Sequence, residues 1–532
     1  MANLDLSAQG LQDRAAWKAA GYALPQYDRE AMIAATKAAP EWIHFGAGNI
    51  FKAFQASAAQ RLMNQGILNT GIVAVERTKK GEDTHDGYSV IVTLKSDGTV
   101  EKSVLGAIAE TVYLYGSEER MAEIFANPSL KMASFTITEK GYAITNPKGE
   151  LLEDVAADLE AGPAAAKTYM GKVSALLLAR YNAGALPVAM VSMDNCSHNG
   201  DKLAAAITTF ANAWEEKGLV PAGFAAYING DKVSFPWSMI DKITPSPDLT
   251  VGAILEADGL HGFTPTRNAR GTVTAPFVNA EETEYLVIED KFPNGKLPLD
   301  KAGIYYTERE TVDKVERMKV TTCLNPLHTC LAVYGCLLGH KRIFEEMKDA
   351  ELVKLIKTIG YVEGLPVVTD PGILNPKDFI DTVVNVRLPN PFMPDTPQRI
   401  ATDTSQKLAI RFGETIKSYI ASGKVDELKF IPMVHAGWLR YLMAVDDAGN
   451  EFVPSPDPLL EDAQKYVADI KLGDVMTADE AKAKLAGLLS NEKIFGVDLI
   501  ACGIADKICQ YFVEEIAAPG AVRATLQKYV NA

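Results

Sequence analysis

Cysteine is scarce. The six in 532 residues, Cys196, Cys323, Cys330, Cys336, Cys502 and Cys509, are too few for a disulfide framework, and none sits in the C-x-x-C pairs that structural zinc favours. Cys323, Cys330 and Cys336 read as buried helix thiols, and a reducing cytoplasm is the expected compartment. The seven histidines (His44, His85, His198, His261, His328, His340 and His435) show no H-E-x-x-H or similar ligand spacing, so no metal is expected in the chemistry. Long apolar runs are missing too. The longest, 186–193 and 330–338, fall far short of the roughly 20 residues a membrane helix needs. The first residues, Met1 to Leu6, lack a basic segment leading into an apolar one, so no secretory leader is expected. Positive charge is in deficit: 53 Lys and Arg against 68 Asp and Glu give a formal net charge of −15. That sign repels phosphate backbones and anionic lipid, so neither nucleic acid nor a membrane surface is an expected partner. A small anionic substrate stays open, because a local cationic pocket overrules the global sign. No repeat or low-complexity tract is visible, and oligomeric state cannot be read.

What is present is a globular composition, 47% hydrophobic and 23% charged, in a chain too long for one ordinary core. The first ~40 residues are polar and Ala-rich and read as helices and loops wrapping the surface. Strands are expected over 42–45, 72–75, 134–138 and 186–193, with helices over 49–65 and 172–181. Strands rich in β-branched residues and separated by helices predict a parallel sheet covered on both faces. Beyond about 300 the texture becomes helical, over 325–339, 349–359, 404–422, 433–445 and 477–489. The Pro- and Gly-containing stretch 292–299 (F-P-N-G-K-L-P-L) reads as the junction. The expected fold class is therefore α/β, a Rossmann-like N-terminal dinucleotide-binding domain (1–295) with a mainly α-helical C-terminal substrate and catalytic domain (296–532).

Strand, Gly46-x-Gly48, then helix is the physical start of a dinucleotide site. Gly46 permits a tight turn, and Gly48 lets backbone approach a pyrophosphate. The helix opening at Asn49, Ile50 and Phe51 presents unpaired N–H groups and a positive dipole end. Glu76 ends the next strand, where a carboxylate accepts hydrogen bonds from a ribose 2′-OH. This favours NAD over NADP, although Arg77, Lys79 and Lys80 follow and soften the preference. The third glycine of G-x-G-x-x-G is absent, with Phe51 in its place, so an ordinary strand–helix turn is an alternative reading.

Further segments carry a resemblance. H-F-G-A-G-N-I-F-K-A-F (44–54), T-E-K-G-Y (138–142), M-D-N-C-S-H-N-G (193–200), M-I-D-K-I-T-P (239–245), I-E-D-K-F-P-N-G (288–295), K-V-T-T-C-L-N-P-L-H (319–328), N-P-F-M-P-D-T-P-Q-R-I (390–400) and W-L-R-Y (438–441) occur in that order. Over about 40 to 500 the chain resembles the polyol-specific long-chain dehydrogenase/reductase family.

That resemblance implies an NAD-dependent, metal-independent dehydrogenase acting on a sugar-derived ketone and its alcohol. Lys319 matches the family's general acid/base; such a lysine works near neutrality when burial disfavours its charged form. Asn195 and Asn325 match its oxyanion donors, whose N–H groups bind developing charge without exchanging protons. His328 matches a histidine holding a substrate hydroxyl, and Glu316 a carboxylate on a proton path to the lysine. Asp241, Arg399 and Lys407 fall where relatives contact substrate hydroxyls. Structural alternatives stay open: Asn195 and Asn325 as helix caps, the latter before Pro326 at the first helical position, His328 as a core histidine, and Asp241, Arg399 and Lys407 in surface salt bridges. Relatives place the asparagine one residue nearer the lysine. An extra residue turns a helical side chain by about 100°, unless a π-bulge absorbs it.

Within the family the resemblance favours D-fructuronate plus NADH giving D-mannonate plus NAD. Cations in the C-terminal half (Arg399, Lys407, Arg440) suit a uronate carboxylate. Fructose to mannitol and tagaturonate reduction are the alternatives. A dinucleotide-binding sensor without chemistry is the reading from a different class.

Overall fold

Six short strands carry the first half of the chain: β1 (Trp42–Phe45), β2 (Ile72–Glu76), β3 (Ile108–Tyr113), β4 (Met132–Phe135), β5 (Val188–Ser192) and β6 (Val233–Ser234). Every neighbouring pair is parallel, and the order is β3-β2-β1-β4-β5-β6, the doubly wound order of dinucleotide-binding folds. All residues of β1, β4 and β5 are buried, as expected of a sheet covered on both faces. Alternation along each strand feeds two cores. Ile43, Phe45, Val73, Val75, Phe135 and Met190 enter one, with Phe125, Leu177 and Phe210 from covering helices. Trp42, Ile72, Ala74, Met132 and Val191 enter the other, against Phe51, Phe54 and Leu62.

The computed structural model describes residues 3–79, 85–267 and 273–531; Lys80 lies outside them. By internal packing the chain forms two units, Met1–Lys95 with Thr99–Asp313, and Ser96–Gly98 with Lys314–Ala532. In the first, helix Tyr169–Asn182 leads into β5 and carries the fully buried Arg180. Its five N–H donors go to five backbone carbonyls, those of Phe125, Asn127, Leu130, Leu186 and Pro187. A buried charge is thereby completely hydrogen-bonded.

Two features went unread in the sequence. A second sheet joins Tyr22–Ala23, Val100–Leu105, Ser89–Leu94 and Phe277–Glu281. The N-terminal segment is accordingly not only a surface wrapping: Tyr22–Ala23 is a strand of that sheet, and Leu4, Leu6 and Trp17 are buried. A third, three-stranded sheet pairs Ser238–Asp241 with Tyr285–Glu289, and the latter with Tyr305–Thr307.

The second unit is helical, with no strand among its described residues. Helices Asn325–Leu337 and Phe430–Leu442 pack together, and residues 326–327, 329–337 and 431–442 are buried. Apolar residues around the whole circumference are what a central helix requires. Four helices of this unit contain a π-helical turn: Lys319–Cys323, Thr358–Gly364, Val383–Arg387 and Ala409–Gly413. Cys323, Cys330 and Cys336 are buried free thiols, as expected. Among the described residues no helix is long and apolar enough to cross a membrane.

Candidate active site

The glycine turn after β1 is held from beneath by a histidine. Gly46 has φ +90°, and a Cβ there would meet the Thr136 carbonyl at 2.4 Å, so only glycine fits. Under it, Trp42 Nε1–H donates to Ser134 Oγ (2.7 Å), which lies 2.7 Å from His44 Nδ1. His44 Nε2 lies 2.9 Å from Thr136 Oγ1, and that hydroxyl donates to the Gly46 carbonyl (2.8 Å). One direction satisfies every group: Ser134 donates to Nδ1, and Nε2–H donates to Thr136. The ring is thus neutral, and burial holds its pKa far down, at about 3. Phe51 stacks on it, centroids 4.0 Å apart. This explains the missing third glycine. That glycine serves close helix–strand packing, whereas here an aromatic stack fills the gap and the helix widens into a π turn over Phe51–Ala56 before Ser57–Asn64.

Above the turn a cavity of about 640 Å³ opens at the carboxyl ends of β1, β2 and β4, the position where such sheets bind ligands. Gly46, Gly48, Glu76, Arg77, Thr138 and Tyr169 are among its lining. A Cβ on Gly48 would meet nothing nearer than the Gly46 carbonyl at 3.8 Å, so open space lies over its backbone. Asn49 and Ile50 start the helix beside it, and Phe51 is buried below. Glu76 is half-buried; Arg77 and Lys79 are exposed.

The segment after β5 is braced by a partner from another motif. Asp194, buried, accepts the Tyr142 hydroxyl on one oxygen and the Cys196 N–H (2.9 Å) on the other. Asn199 Nδ2 donates to the Asp194 carbonyl at 3.1 Å. Asn195 stands exposed on this turn. It does not cap the following helix, whose N-cap is His198. Asp241 closes its strand, buried, which removes a surface salt bridge as its explanation.

In the second unit Glu316 is half-buried one turn before Lys319, which is itself buried. From Lys319 the helix opens into its π turn, with the Leu324 N–H donating to the Lys319 carbonyl at 3.1 Å. Such a turn holds one residue more than a regular helical turn, and the helix resumes beyond it. Leu324 is the N-cap, Asn325 the first helical residue, and no side chain caps that end. Asn325 is therefore not the cap, because the helix continues through it.

His328 is on the first turn of that helix, and its Nε2 is buried without a hydrogen-bond partner. Asp395 Oδ2 is 3.6 Å away, within ion-pair range but too long for a hydrogen bond. Burial lowers the His328 pKa to about 4; Asp395 opposes this, and Arg411, Arg399 and Arg387 add to it. Arg399 pairs with the same Asp395, so the structure brings His328 and Arg399 to one carboxylate. Lys407 makes no salt bridge among the described residues. Its ammonium donates to the carbonyls of Thr402 and Ile400, and burial lowers its pKa. Among the described residues no group of three His, Cys, Asp or Glu is placed to hold a metal ion.

Residues 40–301 match the mannitol dehydrogenase Rossmann domain, and residues 311–516 the mannitol dehydrogenase C-terminal domain. The chain belongs to the mannitol dehydrogenase family. The D-mannonate oxidoreductase of Thermotoga maritima is 48% identical over 538 residues, covering 99% of each chain. Among solved structures, a D-sorbitol dehydrogenase in substrate-free form superposes with a TM-score of 0.74 at 25% identity, over 92% of this chain and 97% of that one. The ternary complex of Pseudomonas fluorescens mannitol 2-dehydrogenase with NAD and D-mannitol gives 0.68 at 26% identity, over 99% and 100%. In this mannitol dehydrogenase family member, four residues that shape the site escaped the sequence reading. His44 had a visible signal, a lone polar residue inside an apolar strand. Asp395 and the Tyr142–Asp194 pair lie inside quoted motifs, but nothing in their spacing tells which partner each one meets.

Proposed function

We propose that this mannitol dehydrogenase family member is an NAD-dependent oxidoreductase that interconverts D-fructuronate and D-mannonate. The observation that carries the reading is 48% identity along 99% of both chains to a protein named D-mannonate oxidoreductase, against 26% to the mannitol 2-dehydrogenase. The 1–295 segment holds the dinucleotide, and 296–532 supplies proton transfer and most of the substrate contacts. Gly46, Gly48 and the first-turn amides of Asn49, Ile50 and Phe51 face the pyrophosphate, and Glu76 takes the ribose hydroxyls. A positive-φ glycine, open ground over Gly48 and a carboxylate at the end of β2 suit that ligand. The dinucleotide supplies the hydride for reduction. Lys319 gives a proton to the nascent alkoxide, Asn195 and Asn325 stabilise its charge, and Glu316 returns protons to the lysine. His328 donates to a substrate hydroxyl, for which its unpartnered ring nitrogen is suited; Asp241, Arg399 and Lys407 bind the remaining oxygens. Six free thiols support a reducing, cytoplasmic setting.

The test is a turnover panel. Purified enzyme is expected to consume NADH with D-fructuronate at a kcat/KM at least about 10-fold above that with D-tagaturonate or D-fructose, a gap of about 1.4 kcal/mol. Binding of NADH with no turnover on any of the three would make the protein a sensor. A preference for fructose would make it a polyol enzyme. Removing the carboxylate at 76, as Glu76→Ser, is expected to relax cofactor choice. The NADPH-to-NADH ratio of kcat/KM should rise by about 10-fold, since a like charge no longer faces the 2′-phosphate; an unchanged ratio would separate Glu76 from the ribose.

A further inference from the structure

The two fully buried guanidinium groups of this chain are richly supplied with acceptors. Arg180 spends all five donors on carbonyls. Arg440 uses three, on the carbonyls of Glu515, Val445 and Asp446. The exposed Arg399 has the Asp395 carboxylate. Arg411 is the exception. It sits in the π turn Ala409–Gly413, which packs against the π turn that begins at Lys319. Its only hydrogen bond among the described residues runs from Nη1 to the Thr329 hydroxyl, and that hydroxyl donates onward to the Asn325 carbonyl (2.9 Å). Arg411 is half-buried; among the described residues one of its five donors is used and no carboxylate pairs with it. Partial burial lowers its pKa, to about 10. A partly desolvated cation with no counter-charge gains from meeting one. Thr329 follows His328, whose Nε2 is likewise unpartnered. Lys407 lies on the same helix as Arg411 and has only carbonyls for partners. A cluster of cations around His328 (Arg411, Arg399 and Arg387), Arg411 with unspent donors, in a chain of net charge −15, suits a small anion.

We propose that Arg411 anchors the substrate's carboxylate, and so makes this a site for a sugar acid rather than a neutral polyol. The inference rests on the keto-acid reading above and assigns its charged end. A guanidinium fork binds a carboxylate through two parallel N–H···O bonds, and four of the five donors are available for it. No covalent step is involved; the residue sets position and specificity.

The experiment compares wild type with Arg411→Gln and Arg411→Lys on D-fructuronate and D-fructose, with melting curves in the presence and absence of D-mannonate. Arg411→Gln is expected to raise KM for fructuronate by about 100-fold, with kcat falling less. Activity on fructose should stay within about threefold. Arg411→Lys should recover part of the loss. D-mannonate should raise the Tm of wild type and not that of Arg411→Gln, whose own Tm should stay close to wild type, because the half-buried charge removed has no ion-pair partner among the described residues. A lower Tm with equal losses on both substrates would make Arg411 structural and overturn the proposal, as would an unchanged KM or a retained mannonate-induced shift. The two readings fail separately. Wild type inert toward fructuronate rejects the reaction, whereas wild type and Arg411→Gln reducing it equally well reject only the anchor.

Discussion

Alanine at position 319 is expected to cut kcat for fructuronate reduction by about 100- to 10,000-fold, the range that a positioned proton donor supplies. The ammonium gives a proton to the alkoxide in the transition state, so kcat and kcat/KM should fall together. Dinucleotide affinity, measured by fluorescence titration, should change by no more than about twofold, since Gly46, Gly48 and Glu76 line a cavity of the other unit. Lys319→Met, which keeps the stem volume, separates the lost proton from a packing defect at this buried position. Turnover by both variants at the wild-type rate would take the lysine out of the chemistry.

Stability is expected to peak near pH 6.5 and to fall steeply in mild alkali. Glu346 is fully buried with neither carboxyl oxygen hydrogen-bonded, and burial raises its pKa to about 10. Glu515, also fully buried, is raised to about 8 by burial, against the Tyr334 hydroxyl bond that lowers it. Both keep a proton in the native state that the unfolded chain releases above its ordinary value near 4.5. Their contribution is fully present below that value and is lost as pH rises through the folded pKa. Acting against them are His44, His328 and His435, held neutral by burial at about 3, 4 and 3. The unfolded chain protonates these below about 6.5, so their contribution is present above that pH and disappears as pH falls toward the folded values. Between pH 4.5 and 6.5 the three histidines outweigh the two glutamates by one group, so stability rises by about 1.4 kcal/mol per pH unit. Above 6.5 these histidines no longer contribute, and Glu346 and Glu515 lower stability by about 1.4 kcal/mol per pH unit each. Denaturant titrations from pH 5 to 9 check the peak. Glu346→Gln should halve the slope between pH 6.5 and 8 and gain a few kcal/mol at pH 8. A flat profile in both proteins would mean that these carboxyls are not protonated in the native state.

Much of this fold was legible because its strands and helices obey one period each. β1, β2 and β5 stood out as apolar runs, being buried on both faces. The helix beginning at Tyr169 was found within three residues of its start. The second sheet was not legible, since 22–23, 89–94, 100–105 and 277–281 pair across long separations that no local pattern records. The π turns hid for a related reason: a wide turn keeps a helix's composition and changes only its count, so 49–65 and 404–422 read as unbroken helices. Lys319, Asn325 and His328 were proposed because their motif is contiguous. Arg411 and Asp395 needed coordinates, because what distinguishes them is the set of partners each one has or lacks.

The wide turns have a further consequence for how such a chain can change over generations. A residue inserted into a regular buried helix would carry everything beyond it out of register with its neighbours. At 319–323 one additional residue is housed locally, and the central helix beyond it keeps its seat. An added residue is therefore accommodated more cheaply at such a turn than in a regular stretch of the same helix. A lineage gains there a way to redirect one side chain while the remainder of the protein is inherited intact.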